Sequence, residues 1–182
     1  MLATLTLPVA TAMPAPQRAA AAPMRVRVRS ADELRNALRH SRERTLTLDG
    51  SGLDRVLRFD VARGIVELQA ATPWTELAGY LGSHRIAIEP FLGTPGLPAT
   101  VGAAVSQAAA GPDGLPVSAH VTAIALVTPD GELRRADEGS NAQLFRLVLG
   151  GQGVIGVLYS VTLSVESLRA SAAAASARTS AR

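Results

Sequence analysis

The residues whose types and spacing are best suited to chemistry lie between Pro90 and Val105, where three Gly and three Pro fall among small or apolar neighbours. Pro fixes φ and removes a backbone donor, while Gly removes the Cβ, so such a run cannot be an ordinary helix or strand. What is left is a nearly bare main chain that a flat or anionic ligand can approach closely. A helix beginning near Val101 to Ala103 would aim its free N–H groups at that ligand. The plainer alternative is a Pro-rich connector that happens to precede an Ala-rich helix.

Other chemistry finds less support. Gly151-Gln152-Gly153-Val154-Ile155-Gly156 matches G-x-G-x-x-G. A dinucleotide fingerprint follows a strand, opens a helix and has an acid about twenty residues on. Here the order is helix, glycines, strand, and Glu166 follows too soon, so a tight turn or close packing is expected instead. His40, His84 and His120 lie far apart with no partner at metal-ligand spacing, and His120 reads as a capping or satisfied core histidine. Ser106 and Ser118 sit in no nucleophile-elbow pattern. There is no Cys, which excludes disulfides and thiolate chemistry, and no Lys, which excludes an internal Schiff base.

The elements that must position the loop follow from periodicity. Val26 and Val28 alternate with Arg25, Arg27 and Arg29 as in a half-exposed strand. Ser30 to Glu33 is a capping box, Leu34, Ala37 and Leu38 are a buried helical face, and Arg39, Arg42 and Arg44 are a solvated helix end. Leu46–Leu48 is a strand; Val56–Phe59 and Ile65–Leu68 form a hairpin around Ala62-Arg63-Gly64. Thr72 as N-cap and Pro73 at the first position open a helix whose stripe is Trp74, Leu77, Ala78 and Leu81, with Trp74 in the core. Beyond the loop come a strand over Val121–Thr128, a turn at Pro129-Asp130-Gly131, Glu132–Arg135, a helix near Asn141–Leu149 and a strand over Val157–Val165. Strands outnumber helices and tight turns join neighbours, which predicts α+β lobes rather than a doubly wound sheet.

At 182 residues, 47% of them hydrophobic, the chain can bury one sizeable core or two small lobes that share one. Residues 1–23 read as a disordered leader and 169–182 as a disordered tail, leaving 24–168 as the folded unit. Leu2–Ala12 resembles a short signal h-region without a basic start, so cytoplasmic residence is expected and export is the alternative. A mis-assigned start upstream of Met24 is a further alternative. No run reaches membrane-spanning length. All-Arg usage fits a GC-rich bacterial genome. The net charge of +3 owes much to the tail arginines, so nucleic acid is not an expected partner.

From Arg25 to Val165 the motif order resembles the FAD-binding domain of FAD-linked oxidases of the p-cresol methylhydroxylase and vanillyl-alcohol oxidase type. The resemblance rests on Ser30–Leu34, on Ala70-Ala71-Thr72-Pro73-Trp74-Thr75-Glu76-Leu77, and on Gly93-Thr94-Pro95 followed by Thr100–Ala103. It continues through His120-Val121, Thr128–Glu132, Leu144-Phe145, Gly150–Val157 and Thr162-Leu163. It implies two small α+β subdomains cradling an extended FAD. It also implies that Gly93 and Thr94 lie near the flavin and pyrophosphate, and that the N–H groups of Thr100, Val101, Gly102 and Ala103 wrap the pyrophosphate. Gln107 and Ala108 would continue that wall, and Val157 would meet the adenine end.

Three departures qualify what the resemblance implies. Ala103 stands where the family usually has a second Gly. The family's Gly-rich loop, the main diphosphate cradle and the site of a flavin-holding His, is missing where Arg44-Thr45-Leu46 runs into Leu48–Asp54, so any flavin is expected to be non-covalent. The chain ends where the family's substrate domain would begin, as a truncated or frameshifted reading frame would. The expected function is therefore the FAD-binding module of an oxidoreductase, inactive alone. Its partner could be a separately encoded substrate half that oxidises a hydroxyl or amine by hydride transfer to flavin N5. The rival is a relic or assembly partner that keeps the fold without flavin.

Overall fold

The computed structural model describes residues 24–40, 46–150 and 155–180. The leader 1–23, Arg42 and Arg44, and most of the Gly151–Gly156 run lie outside the described residues.

A small unit comes first. Strand β1 (Met24–Arg27), helix α1 (Ala31–His40) and strand β2 (Leu46–Asp49) form a parallel pair with a helical crossover. The cap of α1 works as the sequence suggests, with one shift. The Glu33 N–H donates to Ser30 Oγ at 3.2 Å, but the Glu33 carboxylate accepts the Arg29 N–H at 2.8 Å rather than that of Ser30. Arg39 is exposed at the end of α1, as expected, and its guanidinium also pairs with Glu132 at 2.8 Å, while Arg35 Nε donates to the Gly131 carbonyl at 3.1 Å. Gly131 has φ +81°, and a Cβ there would strike the Arg39 side chain. Two arginines thus clamp α1 onto the turn that joins the strands Val121–Val127 and Leu133–Asp137.

The main body is a five-stranded antiparallel sheet in the order β3-β4-β7-β5-β6. Its strands are β3 (Val56–Asp60), β4 (Ile65–Gln69), β5 (Val121–Val127), β6 (Leu133–Asp137) and β7 (Val157–Ser164). Together with the helices these make an α+β fold, as expected. One sheet face carries Val66, Leu68, Ile124, Leu126, Val161 and Leu163, and helices cover it. They are α2 (Trp74–Ser83), α3 (Val101–Ser106), α4 (Ala142–Leu149) and α5 (Val165–Ser180). The other face presents Val127, Val157 and Tyr159 to the small unit, whose Val28 and Leu34 are buried there with Leu53. Both faces of β5 are therefore covered at Leu126 and Val127, which explains the apolar run Ala123–Val127.

A bulge in β7 sets this division. Ala125 pairs with Ser160 but Leu126 pairs with Leu158, so Tyr159 is an extra residue on β7. An added residue inverts which side chains face which way. Val157 and Tyr159 accordingly join the small-unit cluster, whereas Val161 and Leu163 join the main core. Gly156, just before this strand, has no room for a Cβ: it would lie 2.5 Å from the Val127 carbonyl oxygen. That glycine is there for packing.

Two boundaries differ from expectation. Helix α2 starts at Trp74 with Pro73 as its N-cap (φ −67°, ψ 150°), not with Thr72. Thr72 is buried, and its hydroxyl instead donates to the Arg55 carbonyl at 3.3 Å, tying the helix entry to the β3 side. The expected disordered tail is α5, which continues to Ser180. Its Ala-rich composition has high intrinsic helix propensity. Leu168, Ser171 and Ala172 are buried, and Arg178 donates to the carbonyls of Pro112 and Asp113. Trp74 is core as expected, 4% exposed, stacked on Phe91 with ring centroids 4.9 Å apart.

Two predictions follow from the packing. Gly156→Ala should destabilise by about 1–3 kcal/mol in urea titration, while Gly79→Ala, with open space at mid-helix, should stabilise by about 0.5–1 kcal/mol. Removing residues 170–182 should lower the Tm by roughly 5 °C or more in a calorimetric scan, whereas a disordered tail would leave it unchanged.

Candidate functional site: a cleft between the small unit and the sheet

A cleft of about 240 Å³ opens between the small unit and the sheet. Val28, Leu48, Gly50 and Leu53 line one side. Ala70, Ala71, Val157 and Leu158 line the sheet side, and Thr100, Gly102, Ala103 and Ser106 come from the start and end of α3. At its sheet side the β4–β7 pairing extends by one step, the Tyr159 carbonyl accepting the Ala70 N–H at 2.9 Å.

The floor of the cleft is a near-contact of two backbones. The Gly102 N–H donates to the Ala70 carbonyl at 2.8 Å, and the Val101 N–H donates to Thr72 at 3.0 Å. A Cβ on Gly102 would lie 2.5 Å from the Ala70 oxygen, so only glycine lets α3 dock here. The flanking residues Pro73 and Thr100 form an isolated antiparallel bridge, and Trp74 adds an N–H to the Ala99 carbonyl at 3.2 Å. Thr100 is the true N-cap of α3, its hydroxyl accepting the Ala103 N–H at 3.4 Å.

Helix α3 begins at Val101, and the N–H groups of Val101, Gly102 and Ala103 are each hydrogen-bonded within the chain. The bareness of Gly102 serves the docking of α3 on Ala70.

Of the residues singled out in the sequence, the cleft gathers Thr100, Gly102, Ala103 and Val157. The others do not line it. Val101 is buried in the main core. Gly93 is exposed, and the Thr94 hydroxyl donates to the Pro90 carbonyl at 2.8 Å. Gln107 caps the end of α3, and Ala108 follows with φ +47°; both are exposed. Sequence reasoning missed Gly50, Leu53 and Ala71. The signals available were the Gly50-Ser51-Gly52 turn and the small pair Ala70-Ala71 at the end of an apolar strand. At that turn the Asp49 carboxylate accepts the Ser51 N–H at 3.1 Å. Hydrogen bonds from the Ser51 side chain and backbone, helped by the charges of Arg27 and Arg25, hold its carboxyl below the usual range.

Tested against a flavin dinucleotide, these residues fit one part of it. Aliphatic walls from Val28, Leu48, Leu53 and Leu158, with hydroxyls of Thr100 and Ser106, suit a flat uncharged ring. The volume is below the roughly 300–1,000 Å³ of ordinary small-molecule sites, and no charged side chain among the described residues lines it. The cleft as described fits a ring better than a diphosphate.

The comparisons with known proteins bear on the same fold. The family model described as FAD binding domain matches residues 16–137. The chain belongs to this FAD-binding domain family. Among solved structures, it resembles a carbohydrate oxidase from Microdochium nivale crystallised with a substrate analogue, at 16% identity and TM-score 0.65 over 77% of this chain. It also resembles an alkyldihydroxyacetonephosphate synthase, at 16% identity and TM-score 0.63 over 77% of this chain. It spans 35% and 30% of those two chains, about a third of each. No curated protein matches the sequence. The FAD-binding domain family and the α+β fold are thus those expected from the sequence.

None of the three histidines lines the cleft. His84 packs on Phe59 with ring centroids 4.9 Å apart, and His40 Nδ1 bonds the Asn36 carbonyl at 2.7 Å. His120 is buried; its Nδ1 shares a 2.7 Å hydrogen bond with Ser167 Oγ, while Nε2 has no partner, so it is only half satisfied. No cluster among the described residues could hold a metal, and no described helix is long and apolar enough to cross a membrane. Burial lowers the His120 pKa, and Asp113 opposes this more weakly. A depressed imidazole pKa means that the unfolded chain binds the proton first. Stability is therefore full above the unfolded value and falls as pH drops below about 6.5. Urea midpoints taken from about pH 7.5 to 5.5 should fall for the natural protein and stay flatter for His120→Gln.

Proposed function

We propose that this chain is the flavin-binding module of an FAD-linked oxidoreductase of the p-cresol methylhydroxylase type. The observation that carries this is the cleft itself. It lies at the seam of the two units, is floored by the bare main chain of Gly102 and Ala70, and joins Thr100, Ala103 and Val157 in one place. Membership of the FAD-binding domain family supports the same reading.

In this proposal Val28, Leu48 and Leu158 exclude water from the bound ring, and the Thr100 and Ser106 hydroxyls orient its polar edge. FAD, when bound, supplies the redox chemistry, and the protein supplies position and shielding. Binding is non-covalent. Gly93, Thr94, Gln107 and Ala108 lie outside the cleft and would reach the cofactor only along an extended stretch beyond it. A separately encoded substrate-domain half is the partner proposed for turnover. The protein works in the cytoplasm and uses neither nucleic acid nor membrane.

The test is direct. Purified protein mixed with FAD and desalted should remain yellow, with a flavin absorption band, and should oxidise no hydroxyl or amine substrate alone. Ala103→Phe, which fills the cleft from a half-buried position, should lose at least about tenfold in FAD affinity while keeping its circular dichroism. A colourless, folded natural protein would sink the proposal and leave the fold as a scaffold.

A further inference from the structure

A second groove, of about 570 Å³, lies between α5 and the segment that joins α2 to the 3₁₀ turn Glu89–Phe91. It shares no lining residue with the cleft at the seam. Its size falls within the roughly 300–1,000 Å³ of small-molecule sites. Each wall carries one charge of each sign. Arg85 and Glu89 come from the connecting segment, and Glu166 and Arg169 come from the first two turns of α5. Between them the lining includes Ala87, Ala170 and Ala173, whose short apolar side chains leave the groove open. The four charged residues are exposed, and no salt bridge joins them to one another or to another described residue.

Arg85 sets this group apart from ordinary solvated charges. It follows the last turn of α2 with φ +61°, in the left-handed region. Its N–H donates to the Gly82 carbonyl at 2.9 Å, and the Ile86 N–H donates to the Leu81 carbonyl at 3.0 Å. Helix terminators usually place glycine or asparagine in that conformation, and a long side chain there is uncommon. A left-handed backbone kept by a bulky, exposed residue points to a use for its side chain.

We infer that this groove binds a small zwitterion of the dipeptide class. Arg85 and Arg169 hold its carboxylate, and Glu89 and Glu166 hold its ammonium group. A guanidinium meets a carboxylate through paired charge-assisted hydrogen bonds, and the ammonium donates to the glutamates in the same way. A ligand with one charge only meets like charges as well as opposite ones, so it is disfavoured.

Calorimetry of the full chain with alanylalanine tests this, against N-acetyl-alanylalanine, which lacks the ammonium, and alanylalanine amide, which lacks the carboxylate. Alanylalanine should bind with a Kd of about 1 mM or tighter, and each derivative more weakly by about tenfold or more. Arg85→Gly suits the left-handed position and should keep or raise the Tm, yet weaken the dipeptide by about fivefold or more. Glu166→Gln, at an exposed position, should weaken it similarly while keeping its circular dichroism. No heat with about 10 mM alanylalanine, or equal affinity for all three ligands, would overturn the inference. Unaltered binding by folded Arg85→Gly would overturn it as well. None of these outcomes bears on flavin binding, which concerns the other cleft.

Discussion

The contact on which the rest of the molecule depends is the meeting of two main chains at Gly102 and Ala70. It needs a residue without a side chain on α3 and a free carbonyl at the end of β4, and the sequence provides both. From this contact α3 acquires its direction. The bridge between Pro73 and Thr100 then fixes the entry to α2, and Trp74 is drawn under the loop, where its indole N–H donates to Pro98 at 3.1 Å. A single larger residue at this point would push α3 off the sheet and undo the alignment of four neighbouring segments.

The same contact explains why the sequence was easier to read for architecture than for recognition. Elements with strong periodicity were legible: the β3–β4 hairpin, the apolar run of β5 and the stripe of Trp74, Leu77, Ala78 and Leu81 all lie where their spacing puts them. The glycine and small residues of Thr100–Ala103 were also legible as a place of close approach. What they approach was not, because a bare backbone is needed equally by a ligand and by another backbone. Only the long-range hydrogen bonds show that Ala70 and Thr72 occupy the donors.

Two further misreadings have physical causes of the same kind. The tail from Arg169 has no amphipathic pattern, so periodicity gave no reason to expect order. Its helix is held by small residues, Ser171 and Ala172, fitting against the core, and by one arginine reaching carbonyls some sixty residues away. The bulge at Tyr159 is invisible locally, since nothing in Val157–Ser164 marks an inserted residue, yet it determines which half of the strand serves which core.

The attachment of the small unit is unequal in kind. Its apolar cluster is minor, and its outer anchorage is charged: Arg35 and Arg39 grip the Gly131-Glu132 turn at the surface. Surface ion pairs are weak and are screened by electrolyte, whereas the antiparallel sheet is held by a large apolar core. Electrolyte therefore weakens the outer anchorage of β1, α1 and β2 while leaving the buried contacts of Val28, Leu34, Leu53 and Val127 in place. A guest lodged in the seam acts as mortar between the two bodies, so occupancy and rigidity rise together.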